Sequence, residues 1–452
     1  MTGKPTITAL ATPVGESAIA LVRISGPQSE VIARDAFSLA SPPLPRQASL
    51  GTYRNRAGQP LDQALYTYFA EGVSYTGEAT LEIACHGNPL IAQKILDDLQ
   101  ERGCHIAEPG EFTRTAFLNQ RMDLSQAEAV MELIQAKSDK ALAVAQRHLQ
   151  GGLGDRIREI TDRLIQLCAQ LEAYIDFPEE DLPDEEAKGP RADLARLLSD
   201  VERLIETNRY HEALSQGVKL AILGAPNAGK SSLLNALLDK DRAIVSDTPG
   251  TTRDFISEHI TFGALNLEVI DTAGLRTGGS EIERIGMERA LKVAETADFL
   301  LLVLDTTDSF PSLPTALTDR LAPENTLVAE NKIDLPESRN FDQQLTALPH
   351  CRISTLTHNG LDHLKAALHK KLESIIDLPG EEAVVINSRH KQALEQGRLL
   401  LIDAQQTLGV GAPEELAAND LRTALGVISS ITGSAGSEEI LDAIFQSFCI
   451  GK

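Results

Sequence analysis

The segment Gly224-Ala225-Pro226-Asn227-Ala228-Gly229-Lys230-Ser231 decides the fold of the central part of this 452-residue chain. It follows an apolar run from Val218 to Leu223 and precedes residues 232–238, whose apolar positions have helical spacing. In this strand–loop–helix context, a G-x-x-x-x-G-K-S pattern indicates a phosphate-binding P-loop. We expect Lys230 to contact the β- and γ-phosphates of a nucleotide and the Ser231 hydroxyl to bind Mg²⁺. The alternative is an ordinary glycine-containing turn between a strand and a helix.

Two further motifs follow in the order found in guanine-nucleotide-binding domains. Asp271-Thr272-Ala273-Gly274 ends an apolar run from Leu265 to Ile270, where we expect the Asp to approach Mg²⁺ and the Gly N–H to approach the γ-phosphate. Asn331-Lys332-Ile333-Asp334 follows a second strand-like run, Thr326 to Ala329. The Asp334 carboxylate can only accept hydrogen bonds, and guanine, unlike adenine, offers adjacent donors at N1 and N2. The three motifs together predict a GTPase.

The composition limits the classes of function. The length predicts two or three domains. A formal net charge of −23 excludes non-specific attraction of nucleic acid, so an RNA partner needs a local basic patch or a second protein. The five cysteines include no C-x-x-C pair, which predicts a reducing compartment without a disulfide framework or a zinc site. No membrane-spanning run or signal peptide is evident, so we expect a cytoplasmic protein that does not enter the membrane.

Residues 5 to about 118 have the pattern of a mixed α/β domain. The expected elements are strands at Ile19–Ile24, Leu65–Phe69 and Thr80–Ala84 and a helix at Pro89–Arg102. Arg23 follows the apolar residues of the first strand and would be costly to bury without a partner. It either forms a structural ion pair or binds an anion at the end of the strand. The residues alone favour the ion pair.

Helical periodicity dominates both sides of the GTPase motifs. The expected helices cover residues 125–150, 155–175, 191–215, 387–408, 414–428 and 437–448. Ser125-Gln126-Ala127-Glu128 is interpreted as the capping box of the first helix. The acidic stretch Asp176–Glu186 is interpreted as a solvated turn, with a cation site or a docking surface for a basic partner as the alternatives. Helices before and after the motifs predict one helical domain with the GTPase domain inserted in it.

The predicted GTPase domain lacks two groups that commonly promote hydrolysis. Leu275 occupies the position where many Ras-like GTPases have a water-positioning Gln, and no arginine finger is evident. Glu281 and Glu283 are the nearest acids downstream, and Gly278-Gly279 before them permits movement. Asn227 stands where its side-chain oxygen would bind a monovalent cation beside the phosphates. The alternative role of Asn227 is to brace the loop.

Further short stretches are distributed along the whole chain. They are Ala11-Thr12-Pro13, Arg23-Ile24-Ser25-Gly26, Ser74-Tyr75-Thr76-Gly77-Glu78, His86-Gly87, Pro109-Gly110-Glu111-Phe112-Thr113, Ala116-Phe117-Leu118-Asn119, Asp176-Phe177-Pro178-Glu179-Glu180-Asp181, Gly250-Thr251-Thr252-Arg253-Asp254, Asp271-Thr272-Ala273-Gly274-Leu275-Arg276 and Cys449-Ile450-Gly451-Lys452. Together these stretches resemble the MnmE (TrmE) family of bacterial and organellar tRNA-modification GTPases. The GTPase motifs alone are also compatible with Era- or EngA-like ribosome-assembly GTPases, whereas the N-terminal and C-terminal stretches are not.

The resemblance implies a multidomain fold of the α+β and α/β classes. Residues 1–118 would form a tetrahydrofolate-binding dimerisation domain similar to the aminomethyltransferase fold. Residues 119–216 and 379–452 would form an all-helical domain, and residues 217–378 an inserted Ras-like P-loop G domain. The protein would therefore be a homodimer joined through its N-terminal domains.

The resemblance also implies an activity. With an FAD-dependent partner, MnmG, in a heterotetramer, such a protein adds the aminomethyl or carboxymethylaminomethyl group to C5 of the tRNA wobble uridine. A tetrahydrofolate, in its 5-formyl or 5,10-methylene form, supplies the one-carbon unit, and FAD is bound by the partner only. The residues carried over as folate ligands are Arg23, Glu82, Arg121 and Lys452. This moves the interpretation of Arg23 from a structural ion pair towards ligand binding.

Arg121 stands where Lys is common in the family, so the charge is kept while the geometry differs. Cys449 matches the family's terminal cysteine. It either takes part in the modification chemistry or is a buried inert thiol.

In the G domain, the resemblance implies ligands for two cations and a group that orients water. Potassium would be bound by Asn227, Ser246, Thr248 and Thr251, Mg²⁺ by Ser231 and Thr252, and Glu283 would orient the attacking water. The predicted GTP-binding residues are Asn227, Ala228, Gly229, Lys230, Ser231, Ser232, Ser246, Asp247, Thr248, Pro249, Gly250, Thr251, Thr252, Asp271, Thr272, Ala273, Gly274, Asn331, Lys332, Asp334, Ser354, Thr355 and Leu356. Because Ser354-Thr355-Leu356 replaces the usual Ser-Ala-Lys or Ser-Ala-Arg, base recognition rests mainly on Asn331 and Asp334.

Two hypotheses from other functional classes stay open at this point. A ribosome-assembly GTPase would carry an RNA-binding appendage with a basic face, and none is evident in this acidic chain. A nucleotide-gated dimer scaffold would only open and close with its GTP cycle and leave the modification chemistry to its partner. The absence of a nucleophile or redox motif outside the G domain is compatible with the scaffold.

Overall fold

The computed structural model describes residues 4–176, 184–215, 217–225, 227–238, 256–262, 265–271, 292–310, 315–341, 345–375, 384–409, 413–434, 438–446, 448 and 451. The strands are β1 Ile7–Leu10, β2 Ser17–Ser25, β3 Ala48–Arg54, β4 Pro60–Phe69, β5 Thr80–Gly87, β6 His105–Ile106, β7 Val218–Leu223, β8 Ile256–Phe262, β9 Leu265–Asp271, β10 Phe299–Asp305, β11 Thr326–Asn331 and β12 His350–Arg352. The helices are α1 Ser29–Ala36, α2 Pro89–Glu101, α3 Glu111–Leu118, α4 Leu124–Gln135, α5 Asp139–Leu149, α6 Gly152–Asp176, α7 Asp184–Glu206, α8 Asn208–Ser215, α9 Lys230–Leu238, α10 Thr315–Thr318, α11 Leu361–Ile375, α12 Ser388–Gly409, α13 Glu414–Ser429 and α14 Glu438–Gln446.

The chain divides into two compact units. The first unit contains residues 1–131, 148–197 and 396–452, and the second contains residues 132–147 and 198–395. Each unit is built around one of the two sheets, and helices make up most of the remainder. The predicted class, mixed α/β with a helical part, is confirmed. The three domain boundaries predicted from the sequence, near residues 118, 216 and 378, stay a prediction.

The first unit contains a six-stranded sheet in the order β3-β4-β5-β2-β1-β6. Neighbouring strands are antiparallel except β1 and β6, which are parallel. Helices α1 and α2 contribute Ile32, Ile95 and Leu99 to a core that includes Val22 and Ile83 of the sheet. Because successive residues of a strand point to opposite faces, the residues that alternate with this core lie on the other face of the sheet.

The second unit contains a six-stranded sheet in the order β12-β11-β10-β7-β9-β8. Only the pair β8–β9 is antiparallel. Strand β10 is buried from Phe299 to Leu304, as expected for a parallel strand covered on both faces. The strand predicted at Val218–Leu223 is confirmed as β7. Because β7, β9 and β11 are parallel members of one sheet, the three GTPase motifs all follow the same edge.

The prediction of one helix at residues 125–150 is wrong in two respects. The segment is two helices, α4 and α5, because the Ser138 hydroxyl accepts the Ala141 N–H at 3.2 Å and caps a new helix. The capping box of α4 also begins two residues earlier than predicted. Asp123 Oδ1 accepts the Gln126 N–H and Gln126 Oε1 accepts the Asp123 N–H, each at 2.9 Å.

The helix expected at residues 191–215 is also two helices, α7 and α8. Thr207 ends the first, since its N–H and its hydroxyl both donate to the carbonyl of Leu204, at 3.1 and 2.7 Å. Buried Asn208 then begins α8 and donates to the Ile386 carbonyl at 3.1 Å. Helix α7 starts at Asp184, inside the acidic stretch predicted as a turn. The rest of that stretch, residues 177–183, lies outside the described residues.

The remaining helix predictions are confirmed to within a few residues. Helix α6 buries the predicted apolar positions Ile157, Ile160, Leu164, Leu167 and Leu171. It packs along α13, and Arg422 of α13 donates to Glu172 of α6 through Nε at 3.0 Å and through its terminal nitrogen at 2.6 Å. The predicted C-terminal helix is α14, which packs against α3.

Candidate functional sites

The loop between β7 and α9 surrounds its own lysine. Lys230 is 7% exposed, and its Nζ donates to the carbonyl oxygens of Gly224 and Ala225 at 2.8 Å each. Ser231 and Ser232 follow in the first turn of α9 and are exposed. The ammonium group and the N-terminus of α9 thus lie together at one end of the loop. This arrangement suits an anionic ligand.

Asn331 connects the P-loop to the loop that follows β12. It is 1% exposed, and its Nδ2 donates to the Ala228 carbonyl at 2.9 Å while its Oδ1 accepts the Thr355 N–H at 3.1 Å. Gly229 permits this approach, because a Cβ there would collide with Asn331 Nδ2 and its φ is +95°. Two of the predicted motifs and the Ser354–Leu356 loop therefore meet at one side chain.

Lys332 is fixed by groups at the end of β10. Its Nζ donates to Asp305 Oδ2 at 2.6 Å. Burial alone would raise the pKa of Asp305, but hydrogen bonds from Lys332 and Thr307 lower the pKa below its usual value. Thr306 holds the carbonyl of Asn331 through its N–H at 3.0 Å and its hydroxyl at 2.8 Å. These contacts fix the backbone from which Asp334 projects.

The residues expected to contact the base differ in exposure. Asp334 is exposed in the turn after β11. Ser354 is buried, and its Oγ accepts the Thr357 N–H at 3.1 Å, which shapes the loop after β12. Leu356 is 80% exposed, so this replacement for the usual Lys or Arg side chain is not part of the core.

The other predicted nucleotide and cation residues are only partly described. Asn227 is exposed at the tip of the P-loop with φ +64°. Asp271 ends β9, and its side chain is not among the described ones. The predicted residues outside the described part of the chain are Ser246, Asp247, Thr248, Pro249, Gly250, Thr251, Thr252, Thr272, Ala273, Gly274 and Glu283. The alternative acid Glu281 and the Leu275 position lie there too.

Arg23 forms an ion pair on the face of the first sheet opposite α1 and α2. The register pairs it with Glu82, and its Nε and one terminal nitrogen lie 3.0 and 2.8 Å from Glu82 Oε1. Its guanidinium carbon is 5.7 Å from the Tyr75 ring centre and 5.8 Å from that of Phe112. The Arg23 and Glu82 side chains are 16% and 25% exposed, so this pair is not sealed from ligands.

Arg121 lies against the loop that also contacts Arg23. Its Cγ would be 3.3 Å from a Cβ at Gly77, and Asn119 Nδ2 donates to the Thr76 carbonyl at 2.8 Å. Tyr75 of the same loop faces Arg23. One five-residue loop, Ser74–Glu78, therefore contacts two of the predicted folate ligands.

The end of the chain reaches the same sheet. A Cβ at Gly451 would lie 2.5 Å from the Leu10 carbonyl and 3.0 Å from Ala11 Cα, and Gly451 has φ +91°. Strand β1 ends at Leu10, and its neighbour Ala9 pairs with Arg23. Lys452 and Cys449 are outside the described residues, and Gly451 lies against the end of β1, the strand that pairs with the Arg23 strand.

An aromatic anchor holds the C-terminal segment. Phe448 is buried with Phe445 and Leu124 in one cluster. Gly110 has φ +70°, and a Cβ there would be 2.6 Å from the Phe445 carbonyl and 3.1 Å from Phe448 Cβ. The Pro109–Thr113 stretch singled out in the sequence thus provides the surface on which this segment lies.

The described part of the chain has neither a cluster of metal-binding side chains nor a membrane helix. No three or more His, Cys, Asp or Glu side chains in it are arranged to hold a metal ion. None of its helices combines the length and the apolar character needed to cross a membrane.

Comparison with known proteins finds relatives of one family along the whole length of the chain. Residues 6–121 match the family model of the GTP-binding protein TrmE N-terminus, and residues 124–449 match that of the MnmE helical domain. The tRNA modification GTPase MnmE of Opitutus terrae is 46% identical over 450 residues, covering 99% of both chains. The chain belongs to the MnmE family of tRNA modification GTPases. The MnmE proteins of Akkermansia muciniphila and Thermotoga maritima are 42% and 38% identical, and the alignments cover 99% of this chain in both cases and 99% and 100% of those proteins.

Membership of the MnmE family confirms the predicted GTPase and the resemblance drawn from the sequence. The structure brings together Ala228, Asn331 and Thr355 of the nucleotide site, and Arg23 with Glu82 in the N-terminal sheet. The assignment of individual ligands in both places stays a prediction.

Sequence reasoning missed several residues that hold these sites. Asp305 and Thr306 fix the Asn331-Lys332 backbone, and Tyr75 and Phe112 flank the Arg23 guanidinium. Tyr75 and Phe112 stand inside stretches already singled out for the MnmE resemblance, which was the available signal. The sequence signal for Asp305 was weaker: it is an acid directly after an apolar run, Phe299 to Leu304.

The described cysteines are poor candidates for chemistry. Cys85, Cys104, Cys168 and Cys351 are all buried and unbonded to one another. Burial raises the pKa of each thiol, and that of Cys104 to about 11. Since the thiolate is the nucleophile, burial makes these four thiols less reactive than exposed ones.

Proposed function

We propose that this MnmE-family GTPase modifies C5 of the tRNA wobble uridine together with an FAD-dependent partner of the MnmG type. The reaction would add an aminomethyl or carboxymethylaminomethyl group, with a tetrahydrofolate as the one-carbon donor. The relatives from Opitutus terrae and Thermotoga maritima are tRNA modification GTPases, which supports a tRNA substrate. Family membership favours this proposal over a ribosome-assembly GTPase.

The observation that carries the folate part of the proposal is the contact of Gly451 with Leu10 and Ala11. It brings the end of the chain to the strand that pairs with Arg23. Folates carry a polar pterin ring and an anionic glutamate tail, so their pocket needs a hydrogen-bond acceptor and cations. Glu82 offers the acceptor, and Arg23, Arg121 and Lys452 would offer the cations.

The homodimer is proposed through the sheet face opposite α1 and α2. On that face Leu50 pairs with Leu65, Leu65 with Ala84, and Ala84 with Leu21. Leu50 is 63% exposed and Leu65 43%. A row of apolar side chains across a sheet is a surface that a second subunit can bury. In a symmetric dimer, each subunit would present the same row to the other.

In the G domain we propose Mg²⁺ bound by Ser231 and Thr252, and potassium by Asn227, Ser246, Thr248 and Thr251. Ser231 is exposed in the first turn of α9, where a hydroxyl oxygen is accessible to a cation, and the Asn227 side chain is exposed at the loop tip. Mg²⁺ would neutralise phosphate charge, and potassium would supply the positive charge of an arginine finger. Glu283 would orient the attacking water.

Potassium is expected to accelerate GTP hydrolysis relative to sodium. The physical reason is a cation of suitable size at Asn227, which would offset transition-state charge where no arginine finger is evident. Initial rates measured in potassium chloride and sodium chloride at equal ionic strength test this expectation. Asn227→Ala should remove the difference between the two salts while retaining GTP binding. Equal rates in the two salts for the unaltered protein would contradict the proposed potassium site.

Glu82→Gln is expected to weaken binding of 5-formyltetrahydrofolate by about 10-fold, because a charge-assisted hydrogen bond becomes a neutral one. Calorimetric titration of the full-length protein measures the dissociation constant directly. Glu101→Gln, a substitution at the end of α2, is the control and should leave the affinity unchanged. If Glu82→Gln binds this folate as tightly as the unaltered protein, Glu82 is not a folate ligand.

A further inference from the structure

A buried acid lies directly behind the guanine end of the nucleotide site. Glu330 precedes Asn331 in β11 and is 0% exposed. Its neighbours in the strand, Leu327 to Ala329, are apolar and buried. A carboxylate is costly in the middle of such a strand unless its charge is compensated and its oxygens are bonded.

His350 of β12 is a hydrogen-bonding neighbour of Glu330. Its Nδ1 is 3.0 Å from Glu330 Oε1, and its Nε2 is 3.1 Å from the Leu345 carbonyl. Because a carbonyl oxygen only accepts, Nε2 carries a hydrogen. Nδ1 lies at hydrogen-bond distance from Oε1, so the His350 ring bridges the buried carboxylate and the Leu345 carbonyl.

Glu330 has two other neighbours. Oε1 accepts the Phe341 N–H at 3.1 Å. Oε2 is buried without a hydrogen bond, and its nearest cation is Arg352, with Nε at 3.5 Å. One carboxylate thus joins β11, β12 and the segment at Phe341. An exposed surface acid could not connect three segments in this way.

These connections end at the loops predicted to contact the base. Backbone hydrogen bonds from Ile353 N–H to the Glu330 carbonyl, at 2.8 Å, and from Ile333 N–H to the Ile353 carbonyl, at 3.2 Å, align β12 with β11. Immediately beyond them, Thr355 N–H donates to Asn331 Oδ1. The position of the Ser354–Leu356 loop relative to Asn331 therefore depends on how β12 is held against Glu330.

We propose that Glu330, through His350, is a positioning residue for guanine recognition. It fixes the distance between the Asn331–Asp334 turn and the Ser354–Leu356 loop. It thereby sets the affinity for guanine nucleotides and the selectivity for them over hypoxanthine nucleotides, without itself contacting the base. Hypoxanthine lacks the 2-amino group, so the selectivity reports how well the Asp334 carboxylate is aligned with both guanine donors. The inference rests on the proposed guanine site.

The experiment measures binding of GDP and IDP, and steady-state GTP hydrolysis, with full-length Glu330→Gln. The substitution keeps the shape and removes the charge that holds His350. We expect the dissociation constant for GDP and the KM for GTP to rise about 10-fold, and kcat to stay within about 2-fold. The preference for GDP over IDP should fall by about 10-fold. Glu337→Gln is the matched control, because Glu337 is an exposed acid shortly after the Asn331–Asp334 motif. It should change neither the affinity for GDP nor the preference for GDP over IDP.

Variants of His350 keep the test decisive if Glu330→Gln fails to fold. His350→Leu should lose the selectivity for GDP over IDP as Glu330→Gln does. His350→Asn, whose amide N–H can replace Nδ1, should retain most of that selectivity. A merely structural role would lower the melting temperature and leave the GDP-to-IDP ratio unchanged. That result in Glu330→Gln or His350→Leu overturns the inference. If Asp334→Asn also leaves the guanine preference unchanged, the proposed guanine site itself is wrong, so the two failures are distinguishable.

Discussion

Replacing Asp334 with asparagine is expected to change the base preference from guanine to xanthine nucleotides. The Asp334 carboxylate accepts from N1–H and the 2-amino group of guanine, whereas an amide donates as well as accepts. Xanthine has a carbonyl at C2 in place of the amino group and suits the amide. Losing a charge-assisted hydrogen bond and leaving a donor unpaired should lower the affinity for GDP by about 100-fold or more. XDP should bind correspondingly better.

Equilibrium binding of GDP and XDP to the full-length variant measures this exchange. Asp308→Asn is the matched control, because Asp308 is an exposed acid after the neighbouring strand β10 and should leave both affinities unchanged. The backbone around Asp334 is well fixed, through Lys332 on Asp305 and Asn331 on Ala228, so the substitution should not disturb the loop. A variant that keeps its preference for GDP would show that Asp334 does not contact the base.

Deleting residues Cys449–Lys452 is expected to abolish wobble-uridine modification and to weaken folate binding while leaving GTP binding intact. The deletion removes Gly451 from its position against Leu10 and Ala11, and with it Lys452. The aromatic anchor at Phe448 lies before the deletion and stays, so α14 should keep its place. The nucleotide site is in the other unit of the chain.

Calorimetric titration with 5-formyltetrahydrofolate, after circular dichroism has verified the fold, tests the deletion directly. Gly451→Ala is a milder companion variant. Its Cβ would lie 2.5 Å from the Leu10 carbonyl at a φ of +91°, so the tail must shift. Lys452→Gln retains the tail and removes only the charge. Unchanged folate affinity in the deletion variant would show that the tail is not part of that pocket.

Most of the fold was predictable because the decisive signals are local. The apolar run Val218–Leu223 and the glycine-rich segment after it specify a strand, a loop and a helix without help from distant residues. The errors in the helical part are also local in origin. Ser138 and Thr207 offer their side chains to nearby backbone groups and end helices that the apolar periodicity would continue. Periodicity reports which face is buried and is insensitive to such interruptions.

The sites were less predictable because their supporting contacts join residues far apart in the sequence. The sequence placed each of the three GTPase motifs after a strand-like run, and the structure shows that these strands are parallel members of one sheet. That Asp305 binds Lys332, or that Glu330 binds His350, depends on the strand register, which puts Asp305 opposite Asn331 and Glu330 opposite Arg352, one or two residues from these partners. For Arg23, the residues alone could not choose between an ion pair and a ligand site. The structure contains the ion pair with Glu82, and its exposure leaves the ligand role open to experiment.

We propose that the N-terminal sheet and the C-terminal tail form a folate site used for tRNA modification. Mass spectrometry of wobble uridines tests this proposal in cells lacking this protein and in the same cells supplied with the unaltered protein, with Glu82→Gln or with the tail deletion. We expect the C5 modification to be lost without the protein, restored by the unaltered chain and not restored by the tail deletion, with reduced restoration by Glu82→Gln. Full modification in cells lacking the protein, or full restoration by the tail deletion, would contradict it.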